Sequence, residues 1–338
     1  MKALVTGGTG LVGSHLCFHL LQKGYGVKAL FRKQERKALT KKVFSYYDTT
    51  NSLFSKIEWV KGDLLYIQDI EEVVRGVDVV FHTAAMVSFD PEDAEKIIRY
   101  NEDITNNLVA VLKEKHAQVP IIHCSSIAAI GKPTNFTALI NEDIQWTDSP
   151  NNSPYAISKF LSELVVWRAA EEGLKVSIVN PGIILGPGFW NEGSGKLFTT
   201  YLKGFPFYTE GVNGFVDVND VAKAMILLTE NKLYSERFIL VENNYSYREI
   251  FNMICDALGK KRPHIKIGKL ASEIFWRLEF LRSKITGAKP LITKETAKSA
   301  VNRTMYDGTK ILKKTHFQYT PLAQSIPIYA ELLKKEMS

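Results

Sequence analysis

Tyr155 and Lys159 stand four residues apart in Tyr155-Ala156-Ile157-Ser158-Lys159. On a helix, that spacing puts both side chains on one face. A free phenol ionises at about pH 10 and exchanges protons poorly near neutrality. An ammonium beside it, helped by the charge of an oxidised nicotinamide, favours the phenolate and lowers that value. The pair could then pass a proton to or from a substrate oxygen. A hydroxyl to hold that oxygen stands 29 residues earlier, where Ile121-Ile122-His123-Cys124 runs into Ser125-Ser126. Ser126 is the candidate, with Ser125 as the competing choice. The end of a predicted strand is where open α/β sheets place their sites. A serine there could orient a carbonyl and stabilise developing oxyanion charge.

The second chemical segment is Thr6–Gly13, T-G-G-T-G-L-V-G, directly after Ala3-Leu4-Val5. Gly7 allows a tight turn, Gly10 lets backbone approach a pyrophosphate, and Gly13 lets helix pack closely on strand. The helix that begins at Leu11 offers free N–H groups to phosphate. Gly7, Thr9, Gly10, Leu11, Val12 and Gly13 are therefore candidate dinucleotide contacts. A chain that uses NAD carries an acid about 20 residues beyond the glycines, to grip the ribose 2′-hydroxyl. Here that place holds Phe31, followed by Arg32. A guanidinium can bind a 2′-phosphate bidentately, and Arg36 and Lys37 add positive potential. NADP(H) is expected ahead of NAD(H), which stays open. Asp63, in Lys61-Gly62-Asp63-Leu64, could accept from the adenine amino group while Leu64 covers the ring. Thr83-Ala84-Ala85 follow a fourth apolar run, where small side chains let backbone pass close to a cofactor.

These residues need elements to place them. Short apolar runs near 2–6, 26–31, 57–60, 78–82, 119–124 and 176–180 read as strands. Helical patterns fall near 11–23, 68–75, 92–115 and 154–172. The alternation predicts βαβ units and a parallel sheet. The fold expected is α/β, a Rossmann-type doubly wound parallel sheet with a small, mainly helical C-terminal substrate lobe. Residues 1–180 plus 215–245 are assigned to the dinucleotide-binding domain, and 181–214 plus 246–338 to the lobe. Residues 183–214 read as a loop region lining a site. Residues 216–230 return to helical periodicity, and Ser246-Tyr247-Arg248-Glu249 reads as a capping box. Ile274, Leu278, Leu281 and Ile285 share one helical face, which could touch a membrane but is expected to pack on the body. Trp146, Phe189, Trp190, Phe205, Phe207 and Tyr208 are candidates for an apolar substrate pocket.

Bulk properties narrow the classes. The chain has 338 residues and 45% hydrophobic content, and no apolar run is long enough for a membrane span. No signal peptide is read ahead of the first strand. Cys17, Cys124 and Cys255 are isolated, which suits a reducing, cytoplasmic location. Net charge is +7, unevenly spread: residues 1–245 hold 25 basic and 28 acidic residues, and residues 246–338 hold 18 and 8. A basic C-terminal third suits an anionic substrate or a solvated face. His15 and His19 lie four apart, but with no third ligand no metal is expected. The basic stretch 32–42 is explained by the 2′-phosphate and a solvated helix, so no nucleic-acid partner is expected.

Taken together, the chain resembles the extended short-chain dehydrogenase/reductases, the NAD-dependent epimerase/dehydratase group. The matching segments are 6–16, 62–64, 81–85, 101–107, 124–131, 155–159, 180–188 and 215–222, in family order. In the tail, A-K-P-L-I-T-K-E (288–295) and Y-D-G-T-K-I-L (306–312) are also similar. The resemblance implies a Ser126, Tyr155, Lys159 catalytic triad, a supporting role for Asn101, and Pro181, Gly182, Ile183 and Ile184 beside a nicotinamide. It also implies a homodimer formed through the helices near 92–115 and 154–172. Phe31-Arg32 departs from the NAD-using members, and Asn180 stands where many have Arg. Ala84–Phe89 leans towards the dihydroflavonol reductase and 3β-hydroxysteroid dehydrogenase side. The activity implied is an NADP(H)-dependent exchange of a carbonyl and an alcohol on a small apolar or anionic substrate. The alternatives are a nucleotide-sugar epimerase or dehydratase with tightly bound NAD, and a non-catalytic dinucleotide-binding scaffold or sensor.

Overall fold

The computed structural model describes residues 1–131, 139–286 and 293–337, with backbone alone at 281 and 283–286. Residues 288–292 of the similar tail segment lie outside the described residues.

Runs of four to six mostly aliphatic residues form β1 (Lys2–Thr6), β2 (Gly26–Phe31), β3 (Ile57–Lys61), β4 (Val79–His82), β5 (Ile121–Cys124) and β6 (Val176–Pro181). With the strand Glu236–Leu240 they make one seven-stranded sheet, in the order Glu236–Leu240, β6, β5, β4, β1, β2, β3. Every neighbouring pair in it is parallel. Parallel strands need helical crossovers, and these cover both faces, so the strand interiors can be apolar throughout. The crossovers are α1 (Leu11–Gln22), α2 (Lys37–Ser45), α3 (Ile67–Val74), α4 (Ala94–Lys115) and α5 (Pro154–Glu171). Leu16, Phe18 and Phe44 pack on one face with Met225 and Leu228 of the helix Val218–Glu230. Ile70, Ile104, Leu108 and Val166 fill the other. The order reverses between β1 and β4, which gives this Rossmann-type sheet its switch point.

Residues 183–214 are more ordered than the loop expected from sequence. They hold the strand Ile183–Leu185, the helix Gly195–Leu202 and the short strand Phe207–Tyr208. Each is too short to show a period. Residues 216 and 217 finish the strand Val212–Asp217, and the helix starts only at Val218. Asp217 caps that helix by accepting from the Asn219 N–H at 2.8 Å, and also accepts from the Tyr329 hydroxyl at 2.6 Å. The second bond pins the helix Leu322–Met337 to the end of the strand Val212–Asp217.

The capping box forms as read. Ser246 Oγ accepts from the Glu249 N–H at 3.1 Å, and Glu249 Oε2 accepts from the Ser246 N–H at 2.7 Å. Ser246→Ala should cost about 1 kcal/mol of stability, read as a lower urea midpoint with unchanged slope.

The helix Lys269–Thr286 forms too, but its apolar stripe does not pack on the body. Ile274 and Leu278 are 58% and 60% exposed. The side chains of Leu281 and Ile285 lie outside the described residues. The inward side is marked instead by Ser272, whose hydroxyl donates to the Ala297 carbonyl at 3.2 Å.

Candidate active site

Two features set α5 where it begins. Ser153 accepts from the Ala156 N–H at 3.1 Å, and Pro154 takes the first helical position, where its missing donor costs nothing. Tyr155 is thereby fixed in the first turn, with Lys159 one turn on. Ser125 and Ser126 follow β5, and the Ser125 N–H is held by the Val179 carbonyl at 2.8 Å. The Ser125 hydroxyl is then buried without a partner. Ser126 opens a short 3-10 turn, and its hydroxyl accepts from the Ala128 N–H at 3.1 Å. That same hydroxyl lies beside the Tyr155 phenol and favours its ionised form. Ser126 and Tyr155 thus face each other past the end of β5, with Lys159 one helical turn on and its Nζ at the Cys124 carbonyl, while Ser125 lies beside them with an unpartnered hydroxyl.

The electrostatics differ from the simple expectation. Lys159 is buried, and its Nζ donates to the Cys124 carbonyl at 2.8 Å. Burial lowers its pKa, opposed by Cys124 and Glu163. Tyr155 is pushed up to about 12, first by burial, with the Ser126 hydroxyl opposing and the charge of Glu295 adding. The phenol is thus protonated at neutral pH, and the spacing to Lys159 alone does not depress it. Beneath the site, His82 and His123 lie 5.2 Å apart, ring to ring. Burial and then Lys159 hold both well below the usual imidazole range. They are neutral, so Lys159 is the local cation of this buried layer.

Asn101 sits inside α4 and clamps the neighbouring loop. Its Oδ1 accepts from the Met86 N–H at 2.7 Å, and its Nδ2 donates to the Met86 carbonyl at 2.9 Å and Ser158 Oγ at 3.1 Å. Asn180 donates to the Ser126 carbonyl at 3.0 Å and to Glu163 Oε2 at 2.8 Å. A guanidinium arrives from the neighbouring strand: Arg237 Nη1 lies 3.2 Å from Glu163 Oε1. Glu163 and Arg237 were not singled out from sequence. The available signal was an acid beside Leu164-Val165-Val166, a place that demands a buried partner.

The glycine turn suits a diphosphate. Gly7 has φ of +73°, and a Cβ there would lie 2.7 Å from the Ala84 nitrogen. A Cβ on Gly13 would overlap the Gly7 carbonyl. These contacts press β1, α1 and Thr83-Ala84 together, and Thr83 N–H donates to the Thr6 carbonyl at 3.2 Å. At Gly10 a Cβ would meet only the Gly7 carbonyl, at 3.3 Å, and would otherwise fill the open space before α1. No side chain caps α1, so its first N–H groups stay available. Thr9, Leu11 and Val12 line the same turn. Pro181 ends β6, three strands from β1, and the Gly182 N–H is bound to the Leu240 carbonyl at 3.0 Å.

At the other end, Arg32 follows β2 as expected. Its guanidinium is half-exposed, 3.6 Å from Asp63 and over the Tyr100 ring at 5.1 Å. Leu64 departs from expectation. It is almost fully buried against Leu30, Ile70 and Val73, which leaves little side chain to cover an adenine. The six aromatic candidates do not share one pocket either. Phe189 and Trp190 are buried, with Trp190 in the lobe core beside Phe198. Trp146 stacks on Phe160 at 4.4 Å, on the outer side of α5. His15 Nδ1 is paired with the Leu11 carbonyl and His19 Nε2 with Asn219, at 2.8 Å each. Among the described residues, no group of three or more His, Cys, Asp or Glu could hold a metal.

A parallel sheet that reverses beside a glycine turn, with polar side chains gathered past the ends of β4, β5 and β6, defines a Rossmann-type enzyme fold. The chain belongs to the NAD dependent epimerase/dehydratase family, whose model matches residues 3–239, and is an enzyme of the extended short-chain dehydrogenase/reductase type. It is 30% identical over 282 residues to anthocyanidin reductase of Arabidopsis thaliana, covering 77% of this chain and 81% of the relative. It is 29% identical over 255 residues to cinnamoyl-CoA reductase 1 of Petunia hybrida, covering 71% and 72%. The fold is also that of UDP-glucuronic acid 4-epimerase from Bacillus cereus, with a TM-score of 0.75, 19% identity, and coverage of 99% and 97%.

Proposed function

We propose that the protein is an oxidoreductase that interconverts a carbonyl and an alcohol, with NADP(H) as its cofactor. The observation that carries this reading is the Tyr155 phenol beside Ser126, with the buried Lys159 one helical turn on and its Nζ held at the Cys124 carbonyl. Gly7, Thr9, Gly10, Leu11, Val12 and Gly13 would hold the diphosphate. Arg32 would take the 2′-phosphate, and Asp63 with the Leu64 backbone would flank the adenine. Thr83, Ala84, Ala85 and Pro181 to Ile184 would border the nicotinamide, and Lys159 its ribose. When bound, the nicotinamide supplies or accepts the hydride.

The chain's own residues handle the proton. The phenol is protonated at neutral pH, so Tyr155 is set to donate from its hydroxyl to a substrate oxygen. Ser126 holds that oxygen and stabilises its developing charge. Lys159 offsets the charge left on Tyr155 once the proton has gone. The cofactor would rest on residues 1–180 and 215–245, and the substrate would be enclosed by 181–214 and 246–338. The reductase names of the two curated relatives support this branch over sugar-nucleotide chemistry.

The deciding experiment identifies the nicotinamide released when freshly purified protein is denatured, together with its stoichiometry. An empty site that binds NADPH well ahead of NADH is expected. Near-stoichiometric NAD would overturn the reading in favour of an epimerase or dehydratase. A charge-assisted bond to phosphate is worth about 1.5–3 kcal/mol. Arg32→Ser should therefore weaken NADPH binding by roughly tenfold to a hundredfold and leave NADH within about twofold of wild type. Equal losses for both cofactors, measured by titration, would remove Arg32 from the 2′-phosphate.

A further inference from the structure

We propose that the outer face of the helix Lys269–Thr286 docks on the surface of an anionic phospholipid bilayer. Leu270, Ile274 and Leu278 recur every four residues and are 84%, 58% and 60% exposed. They lie roughly opposite Ser272, which is buried against the helix Lys294–Val301. The helix is therefore amphipathic, but its apolar stripe faces away from the protein. The patch extends beyond the helix. Phe275 is 40% exposed, and its ring lies 6.0 Å from that of Phe207, which in turn lies 5.2 Å from Phe205. Ile265, paired with Phe207 between two short parallel strands, is also exposed. Such a contiguous apolar surface marks an interaction site.

Charge identifies the occupant. Residues 260–284 hold eight Lys and Arg against two Glu. Lys260, Lys261, Lys266, Lys269 and Arg277 are exposed. Glu273 is engaged by Arg277, and Lys266 reaches Glu210 at 3.9 Å. Among the described residues Lys260, Lys261 and Lys269 make no ion pair. An exposed apolar helical stripe in a segment that carries exposed, uncompensated lysines is the composition of a helix that lies in a membrane interface and favours anionic lipid. A second copy of this chain would bring the same positive charge to the contact. No helix among the described residues is long and apolar enough to cross a bilayer, so the attachment is peripheral. This inference is independent of the chemistry at Tyr155.

The test is co-sedimentation of the full chain with vesicles of phosphatidylcholine alone or mixed with phosphatidylglycerol. Binding to the mixed vesicles is expected, with little to phosphatidylcholine alone, and should weaken at high salt. Each large apolar side chain buried in lipid is worth roughly tenfold in affinity. Ile274→Glu with Leu278→Glu should therefore lower binding by at least about tenfold. Lys260→Glu with Lys261→Glu should also lower it about tenfold or more, and it leaves the apolar stripe intact if the first variant folds poorly. Neither pair touches the candidate active site, so NADPH binding should be unchanged. Absence of co-sedimentation, equal binding to both vesicles, or full binding by a folded Ile274→Glu/Leu278→Glu variant would overturn the proposal. So would a wild-type oligomer that ignores vesicles and dissociates in that variant, because the face would then belong to a second copy.

Discussion

Tyr155→Phe is expected to lose turnover by a hundredfold to ten-thousandfold, roughly the contribution of one positioned general acid, while dinucleotide affinity stays within about twofold. The substitution removes one oxygen and keeps the ring. That ring packs edge-on to Phe89 at 5.5 Å, and the phenylalanine retains the contact. The first turn of α5 is fixed by Ser153 and Pro154, not by the phenol. The loss should therefore appear in kcat for carbonyl reduction, with little change in the NADPH dissociation constant or the melting temperature. Ser126→Ala should lower kcat in the same direction, because it removes the hydroxyl that both donates to the oxyanion and opposes the rise in the Tyr155 pKa. Removing Lys159 is a less clean test, since its ammonium also satisfies the Cys124 carbonyl. A Tyr155→Phe protein with full turnover would sink the proton-donor role.

The parts of this site that were legible in the sequence are those built from local pattern. The glycine turn follows its strand without a gap, and the Tyr155–Lys159 spacing needs only a helix to align it. The six strands announce themselves because helices bury both faces of a parallel sheet and each strand becomes an aliphatic run. Local pattern fails where long-range packing decides. The periodicity of residues 270–285 gives the helix but cannot say which side meets the body, and Ser272 rather than Ile274 turns inward. Leu64 reads as a ring cover until tertiary structure places it beside Ile70 and Val73. Lys159 reads as the group that depresses Tyr155, yet the backbone of Cys124 takes its ammonium and burial sets the sign of the tyrosine shift. Glu163 and Arg237 are 74 residues apart, so no motif could join them.

That pair carries the second large effect. Arg237→Met should destabilise the protein by about 3–5 kcal/mol, the cost of leaving one member of a buried ion pair alone. The Glu163 and Arg237 side chains are only 3% and 14% exposed. Without the guanidinium, Glu163 keeps the hydrogen bonds of the Asn180 amide at 2.8 Å and the Trp167 indole N–H at 3.2 Å, and the more remote charge of Lys159. The Glu142 and Ile144 carbonyls, both of which accept from Arg237 Nη2, lose a donor as well. Glu163→Gln combined with Arg237→Met should recover much of the loss, because the uncompensated charge is gone. Urea unfolding of wild type, both single variants and the double variant measures the coupling directly. A cost below about 1 kcal/mol for Arg237→Met, or a double variant no more stable than Arg237→Met alone, would show that the pair is not held as a buried ion pair. The strain should also reach the candidate active site. The Asn180 amide donates one N–H to Glu163 and the other to the Ser126 carbonyl, so a displacement of the unpaired Glu163 is passed through Asn180 to Ser126. In the folded Arg237→Met protein, kcat should therefore fall while NADPH affinity holds, and the double variant should restore both stability and turnover.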